Sequence, residues 1–144
     1  MPGRADPYRN FNFRVEIDGI QMAGFSECSG LNTEVAVIEY REGDDKTGIR
    51  KLPGLAKFGD VVLKRGITKS NEFQSWLRNI INGVPDRRTG FVILMDADRT
   101  EVARWKFSNA WIRKIEGPTL NAKGNEVAIE TIELCCEDLE FEST

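Results

Sequence analysis

The side chains with the greatest capacity for covalent chemistry in this sequence are three cysteines, Cys28, Cys135 and Cys136. A cysteine nucleophile needs a neighbouring group that lowers its pKa, and the chain contains no histidine to act as that base. An odd number of cysteines with one adjacent pair is also a poor disulfide framework, because neighbouring residues of a strand point to opposite faces. The sequence therefore predicts reduced thiols, in a protein made in the cytosol, and no thiol catalysis.

Two short segments contain residues that bind phosphate or a cation in other proteins. The segment Gly43–Thr47, with the sequence GDDKT, lacks the glycine that directly precedes the lysine of a phosphate-binding loop. Asp96 and Asp98 have neither the sixth-position glycine nor the distal glutamate of a calcium loop. The paired carboxylates at 44–45 and 137–138 lie in loop-like or terminal segments. We therefore predict no catalytic, cofactor-binding or metal-binding residues, no cofactor and no enzymatic activity.

Composition narrows the class of protein further. With 40% hydrophobic and 30% charged residues, the chain can form one folded domain over residues 1–144, in which residues 1–10 are an N-terminal arm. A formal net charge of −3 disfavours a protein that binds duplex DNA or an anionic membrane. No apolar run of about 18 residues is present, and the first ten residues lack the apolar core of a signal peptide. We expect synthesis without a cleaved signal peptide and no direct membrane insertion.

Alternating and β-branched stretches predict a mainly β (α+β) protein, a sandwich or barrel. Phe11–Ile17 alternates apolar and polar residues and is followed by the turn signal Asp18-Gly19. The alternation within Glu126–Leu139 changes phase near Thr131, which predicts a β-bulge at that residue. The other predicted strands are Met22–Leu31, Thr33–Arg41, Gly59–Arg65, Phe91–Met95 and Val102–Ile115.

One α-helix is predicted at about Asn71–Asn82. Ser70 is its expected N-cap, and Asn82-Gly83 with Pro85 ends it. Apolar residues at helical spacing form a single stripe that we expect to pack against a sheet. These residues are Phe73, Trp76, Leu77, Ile80 and Ile81.

A long irregular tract, Glu42–Phe58, precedes the strand that leads to the helix. Loops of this length are uncommon inside compact domains and are usually functional. Ile49, Leu52 and Leu55 lie among charged residues in this tract, which is too apolar for a simple linker. We interpret the tract as a binding loop, or as an extended hairpin that becomes ordered on contact with a partner.

Three stretches of the sequence together carry a family pattern. Asp6–Leu31 contains Val-x-Ile-x-Gly and then Gly-Phe-x-x-Cys-x-Gly-Leu. Leu52–Trp76 contains Val-x-Leu-Lys-Arg-Gly-Ile-Thr and then Phe-x-x-Trp. Trp105–Pro118, WKFSNAWIRKIEGP, is followed by the acidic strand Glu126–Leu134. In their order and spacing, these stretches resemble the tail tube proteins of contractile phages and the inner tube proteins of phage-tail-like extracellular contractile injection systems.

The resemblance implies a structural subunit of a tail-tube fold. Such proteins form hexameric rings that close a continuous inner β-barrel, and the rings stack into a hollow tube inside a contractile sheath. The implied partners are further copies of the chain, the sheath protein, baseplate, spike and tube-terminating proteins, and DNA or effector cargo bound without sequence specificity. The implied location is the bacterial cytoplasm for synthesis and a phage tail or released injection particle after assembly.

The resemblance also assigns roles to parts of this chain. The helix supports subunit contacts from outside the barrel, and the long tract reaches a neighbouring subunit or the adjacent ring. The expected contact residues are Asp44, Lys46, Ile49, Arg50, Lys51, Leu52, Pro53 and Leu55. Polar strand faces are candidates for either the lumen or the outer surface; they carry Arg14, Glu16, Glu34, Arg104, Lys106, Glu126 and Glu130.

Two alternatives remain open from the sequence. A hexameric ring protein and cargo chaperone of a type VI secretion system has the same general fold, although the segment Lys64–Thr68 favours the phage-type branch. A monomeric ligand-binding β-barrel is the other alternative, and it leaves the tract Glu42–Phe58 without a role. The sequence offers no residues that support an enzyme.

Overall fold

The computed structural model of the chain describes residues 12–18, 20–22, 24–41, 43, 48–67, 71–124 and 127–143. The predicted mainly β architecture with one helix is confirmed. The strands are β1 Asn12–Ile17, β2 Ile20–Met22, β3 Phe25–Ser29, β4 Thr33–Tyr40, β5 Arg50–Phe58, β6 Val61–Gly66, β7 Arg88–Met95, β8 Glu101–Glu116, β9 Ile129–Cys135 and β10 Asp138–Ser143, and the helix α1 is Glu72–Ile81.

The long strand β8 connects the two layers of the fold. Its first half pairs with β7 on one side and with β10 on the other, whereas its second half pairs with β9. Asn109, between the halves, has a φ of 53°, a left-handed conformation that asparagine tolerates better than most residues. The chain therefore forms a front layer in the order β2–β1–β7–β8–β10 and a back layer in the order β8–β9–β6–β3, in which all pairs are antiparallel.

The hydrophobic core lies between the two layers and beneath the helix. Val15 and Val92 contribute to it from the front layer, and Leu63 and Leu134 contribute from the back layer. The helix lies against β8 and closes the core with its buried aromatic residues. Residues from both layers meet in this one core, so the two layers form a sandwich.

Two predicted strands are each divided in the structure. The predicted strand Met22–Leu31 is divided into β2 and β3 near Gly24, whose φ of 91° interrupts the extended backbone. The predicted strand Glu126–Leu139 is divided into β9 and β10, and the second of these returns to pair with β8. The expected N-cap Ser70 lies outside the described residues, and Asn71, which precedes the helix, makes no side-chain capping hydrogen bond.

The β-bulge predicted near Thr131 is wrong. β9 pairs with β6 in continuous register from Ile129 to Leu134, and Glu130 lies on the same buried face as Ile132. The apparent change of phase in the sequence arises because a charged residue occupies a core position. The register shift in this region lies in β8 instead, between Ile112 and Lys114.

The long tract also differs from a simple loop. Residues 50–58 form β5, which pairs with β4 over its whole length, so the extended-hairpin interpretation describes them. The connection between the two strands is limited to residues 41–49. We call the two strands β4 and β5 the hairpin, and the remaining described residues the body.

Candidate subunit interface

The hairpin begins where the edge of the back layer ends. β3 pairs with β6 up to Ser29 and Val62, and beyond a short junction β4 pairs with β5 from Thr33 and Phe58 onward. At the junction, the Gly59 amide donates to the Asn32 carbonyl at 2.8 Å. The hairpin is thus a continuation of the β3–β6 ribbon past the end of the back layer, and within the described chain its two strands pair only with each other.

Gly30 makes this junction possible. Its φ of 81° lies in the left-handed region that favours glycine, and a Cβ atom at this position would lie 1.7 Å from the carbonyl oxygen of Asp60. Any side chain at position 30 would therefore force the two strands of the ribbon apart. The sequence signal for this close approach was the glycine within a strand-like stretch.

The hairpin exposes apolar side chains on both of its faces. Ile38 and Leu52 are cross-strand partners on one face, and Val37 and Pro53 are partners on the other. Leu55 is 86% exposed and Val37 is 62% exposed. An isolated two-stranded hairpin is marginally stable in water, and one without a buried face gains nothing from its apolar residues until another surface covers them. This distribution is typical of a segment that is buried in an assembly.

The residues predicted to form subunit contacts fall largely on this hairpin. Arg50, Lys51, Leu52, Pro53 and Leu55 are part of β5, and Ile49 directly precedes it with 61% of its surface exposed. Pro53 lies beside the register shift between Val35 and Val37, a place where a strand tolerates a residue without an amide hydrogen. Asp44 and Lys46 lie outside the described residues.

The predicted stripe of the helix is buried only in part. Phe73 and Trp76 are fully buried, and Leu77 and Ile80 are half-buried against the core. The prediction is wrong for Ile81, which lies in the last turn and is 59% exposed. The buried residues of the helix lie in its first two turns. The apolar stripe continues past the part of the helix that the sheet covers, which leaves its last residue exposed.

Polar groups of the segment after the helix hold Trp76, in the middle of the helix, in place. Its indole nitrogen Nε1 donates to the Asp86 carbonyl oxygen at 2.7 Å, and the Arg88 guanidinium lies 4.8 Å from its ring centroid. Arg88 Nε also donates to Asp86 Oδ1 at 3.0 Å. This hydrogen bond lowers the pKa of Asp86, to which a hydrogen bond from Asn79 also contributes. These contacts attach residues 86–88, which follow the helix, to the helix itself.

A buried ion pair lies on the other side of Phe73. Arg65 of β6 and Glu130 of β9 are 4% and 7% exposed, and the Arg65 Nε donates to Glu130 Oε1 at 2.5 Å. The Arg65 guanidinium also lies 4.9 Å from the ring centroid of Phe73. The sequence prediction missed this pair, although Arg65 follows the alternation of Val61 and Leu63 onto the core face. Glu130 is therefore not a lumen or outer-surface residue, which corrects that assignment.

The outer face of the front layer is charged. Arg14 and Glu16 of β1 and Arg104 and Lys106 of β8 lie on it, in register across β7. Arg104 Nε donates to Glu101 Oε1 at 2.5 Å, and this hydrogen bond lowers the pKa of Glu101. Glu140 and Glu142 of β10 extend the same face with negative charge. Of the other predicted polar-face residues, Glu34 is exposed on the hairpin and Glu126 lies outside the described residues.

The three thiols are free and poorly ionised. Burial, with a smaller contribution from the Glu27 charge, raises the pKa of Cys28 to about 12, and burial raises the pKa of Cys136 to about 11. Burial also raises the pKa of Cys135. Cys28 lines an open groove of about 340 Å³ with Phe13, Leu31 and other residues. At neutral pH these cysteines are protonated thiols and weak nucleophiles.

Two further features of the described residues bear on the kind of site present. No group of three acidic, cysteine or histidine side chains among them is arranged to hold a metal ion. No helix among them has the length and apolar character needed to cross a membrane.

The geometry thus defines a compact β-sandwich with a projecting hairpin, a class of subunit suited to self-assembly. The chain belongs to the tail tube protein family, because the family model of the T4-like virus tail tube protein gp19 matches residues 9–140. The resemblance inferred from the sequence is confirmed by this match. No curated protein sequence matches the chain.

Solved structures agree with the family. A chain of the anti-feeding prophage tube terminating cap is 25% identical, with 99% of this chain and 95% of that chain covered and a TM-score of 0.87. A chain of the PVC sheath/tube terminator, from an extracellular contractile injection system in the extended state, is 25% identical, with 96% and 99% covered and a TM-score of 0.85. Hcp1 from Flavobacterium johnsoniae, at 15% identity with 93% and 97% covered and a TM-score of 0.59, shares the fold alone.

Proposed function

We propose that the chain is the structural subunit of the inner tube of a contractile injection machine or phage tail. In this role it forms hexameric rings, and the rings stack into a hollow tube that conducts DNA or effector cargo. The observation that carries the proposal is the exposed apolar hairpin on a chain of the tail tube family. A hairpin of this kind requires a second protein surface, and in a tube the available surface is another copy of the same chain.

The two edges of the front layer support ring formation. β2 and β10 end the layer, and within the described residues neither pairs with a further strand on its outer side. Phe141 of β10 is 56% exposed and lies beside Trp105, with their ring centroids 5.1 Å apart. The unpaired backbone groups of an exposed edge strand can form hydrogen bonds with a strand of another chain. Head-to-tail pairing of β10 with the β1–β2 edge of the next copy closes the front layers of six copies into one barrel.

Ring closure through the front layer also assigns the lumen. The inner face of this layer is covered by the core, so its charged outer face is the one that faces the ring axis. That face carries Glu16, Glu140 and Glu142 beside Arg14, Arg104 and Lys106. Between these charged residues β7 places Ile93, which is fully buried, and Phe91, whose ring centroid lies 5.0 Å from the Arg104 guanidinium. A surface of interspersed charges of both signs binds passing cargo weakly and without sequence specificity.

The role is structural, and the family to which the chain belongs consists of structural tube proteins. The proposed partners beyond further copies of the chain are a sheath, a baseplate with its spike, and tube-terminating proteins, because the similar solved chains come from a sheath/tube terminator and a tube cap. We propose synthesis in the bacterial cytoplasm followed by assembly into a phage tail or a released particle. The type VI secretion ring protein is the second candidate, supported by the shared fold of Hcp1.

Negative-stain electron microscopy of the purified chain over a range of concentrations tests this proposal. We expect rings with six-fold symmetry at low concentration and stacked tubes at high concentration. Isolated rings that never stack at any concentration would favour the type VI secretion alternative. A monomer at every concentration would contradict the proposed function.

A further inference from the structure

The junction between the hairpin and the body is a break in the β-ladder. It consists of residues 30–32 on one side of the ribbon and residues 59–60 on the other, and strand pairing is interrupted at both. Leu31 and Phe58 lie half-buried against the core on either side of this break. Because the hairpin pairs with no other strand of the described chain, its position relative to the body depends on contacts at this junction.

Arg113 of β8 reaches the junction because of an irregularity in its own strand. β8 pairs with β9 through Ile112 and Lys114, and the register shift between them leaves Arg113 without a cross-strand partner in β9. A bulge of this kind changes the direction of the side chain that it carries. Arg113 Nη1 donates to Glu133 Oε2 at 2.8 Å and to Asp60 Oδ2 at 3.3 Å. The guanidinium therefore bridges β9 of the body and the junction.

A thiol of the body contacts the junction at the neighbouring residue. Cys136 follows β9, and its Sγ donates to the Gly59 carbonyl oxygen at 3.6 Å. Burial raises the pKa of Cys136 to about 11, with smaller contributions from Cys135 and from the Asp60 charge. The Asp60 carboxylate thus lies near this thiol as well as near the guanidinium. Polar groups of the body converge on both residues of one side of the junction.

We propose that Arg113 is a positioning residue that clamps the base of the hairpin to the body before another copy of the chain binds. By holding Asp60, it fixes the place where Thr33 and Phe58, the first pair of the hairpin ladder, meet in register. Closing the base in this way lowers the chain entropy that formation of the hairpin costs. The clamp acts within one copy, whereas its benefit for assembly rests on the proposed function.

The exposure of the clamp sets the size of its effect. The side chain of Arg113 is 53% exposed and that of Asp60 is 39% exposed. An ion pair exposed to this degree changes an equilibrium by at most about fivefold. Such a change is negligible for the body, which has a hydrophobic core. It matters for a two-stranded hairpin, which is marginally stable by itself.

Hydrogen exchange of dispersed subunits, resolved to single amides by mass spectrometry with electron-transfer fragmentation, tests the clamp. The probe is the Gly59 amide, which donates to the Asn32 carbonyl across the junction. We expect this amide to exchange up to about fivefold faster in Arg113→Gln and to slow again in Arg113→Lys, which keeps the charge. Lys114→Gln is the matched control, because the Lys114 ammonium pairs with Glu116 on the same strand. It should leave the probe unchanged.

Two further measurements distinguish the clamp from a general loss of stability. Asp60→Asn should accelerate exchange of the Gly59 amide as much as Arg113→Gln does, and the double variant should be no faster than either single variant. Sodium chloride at about 1 M should accelerate this amide in the wild-type chain and leave its rate in Arg113→Gln unchanged, because salt screens an exposed ion pair. Amides of β7 are the internal reference and should keep their wild-type rates throughout.

Several results would overturn the inference. They are a wild-type exchange rate for the Gly59 amide in Arg113→Gln, equal acceleration in Lys114→Gln, additive effects in the double variant, or acceleration that β7 shares. Each is read on dispersed subunits, so none depends on whether tubes form. A wild-type chain that forms neither rings nor tubes would contradict the proposed function and would leave the clamp standing.

Discussion

The body and the hairpin differ in which residues are exposed to solvent. In the body, most apolar residues form an enclosed core, and the two buried charged residues of the described chain, Arg65 and Glu130, are paired with each other. In the hairpin, every residue of β4 is exposed, and apolar residues occupy both faces. The body is therefore stabilised by contacts within one chain. We expect the hairpin to become stable only when another protein surface covers it.

This contrast shows where the free energy of each region comes from. Within the described residues, no buried side-chain nitrogen or oxygen of the body lacks a hydrogen-bond partner. The hairpin has its own backbone ladder and no core of its own. Substitutions in the body should therefore change the free energy of unfolding, whereas substitutions in the hairpin should change assembly. Urea unfolding of dispersed subunits measures these free energies.

The largest effect is expected from Trp76→Ala. Removing this fully buried ring opens a cavity beside Phe73 and leaves Arg88 without its aromatic contact. We expect the free energy of unfolding to fall by roughly 3–5 kcal/mol. Ile81→Ala, an exposed position on the same helix, is the control and should change it by less than about 0.5 kcal/mol. Similar losses from both variants would contradict the burial of the helix.

The next effect is expected from Glu130→Ala, which removes the carboxylate that pairs with the buried Arg65 guanidinium. The free energy of unfolding should fall by about 3 kcal/mol, because removing one partner of a buried ion pair is strongly destabilising. The double variant Arg65→Met/Glu130→Leu removes both charges and should recover most of that loss. A double variant as unstable as Glu130→Ala would show that the pair does more than satisfy its own buried charges.

A smaller and pH-dependent effect is expected from Asp86→Asn. The pKa of Asp86 is lowered in the folded chain, so its carboxylate stabilises the fold above the unfolded pKa of about 4, and this stabilisation is lost as the pH falls through the lower folded value. At pH 7 we expect the variant to lose about 1 kcal/mol, a modest value for a partly exposed carboxylate. The difference between wild type and variant should shrink as the pH falls below about 4. A difference that stays constant from pH 7 to pH 3 would contradict this role.

The smallest effect on the free energy of unfolding is expected from Leu55→Ser. Leu55 contacts little within its own chain, so the dispersed subunit should unfold within about 0.5 kcal/mol of wild type. Its tubes, by contrast, should shorten or disappear in electron micrographs. Glu140→Ser, an exposed substitution on β10, serves as the comparison for stability alone. A destabilised Leu55→Ser subunit would mean that the hairpin folds onto its own body.

Local alternation was sufficient to predict most of the body from the sequence. β1, β7 and the helix follow apolar patterns that depend only on residues near in the chain. Two of the misplaced features of the body have physical causes that the pattern of neighbouring residues does not show. The phase of β9 is set by a partner 65 residues earlier in the chain, Arg65, which permits a glutamate at a core position. The division near Gly24 depends on a positive φ that sequence pattern alone does not fix.

The hairpin was harder to predict for a different reason. β5 contains a proline, a glycine and three cations among its nine residues, so that no face reads as buried. Its strand conformation is fixed by pairing with β4, and its apolar residues are exposed within the described chain. A strand without a buried face shows no amphipathic pattern in the sequence.

Hydrogen exchange, read by mass spectrometry on dispersed subunits and on assembled tubes, tests the contrast between the two regions most directly. We expect the backbone amides of β7 and β8 to be protected in both states. Amides of β4 and β5 should exchange rapidly in dispersed subunits and become strongly protected in tubes. A hairpin already as protected as β7 in dispersed subunits, or one still unprotected in tubes, would contradict the claim that other copies of the chain complete its fold.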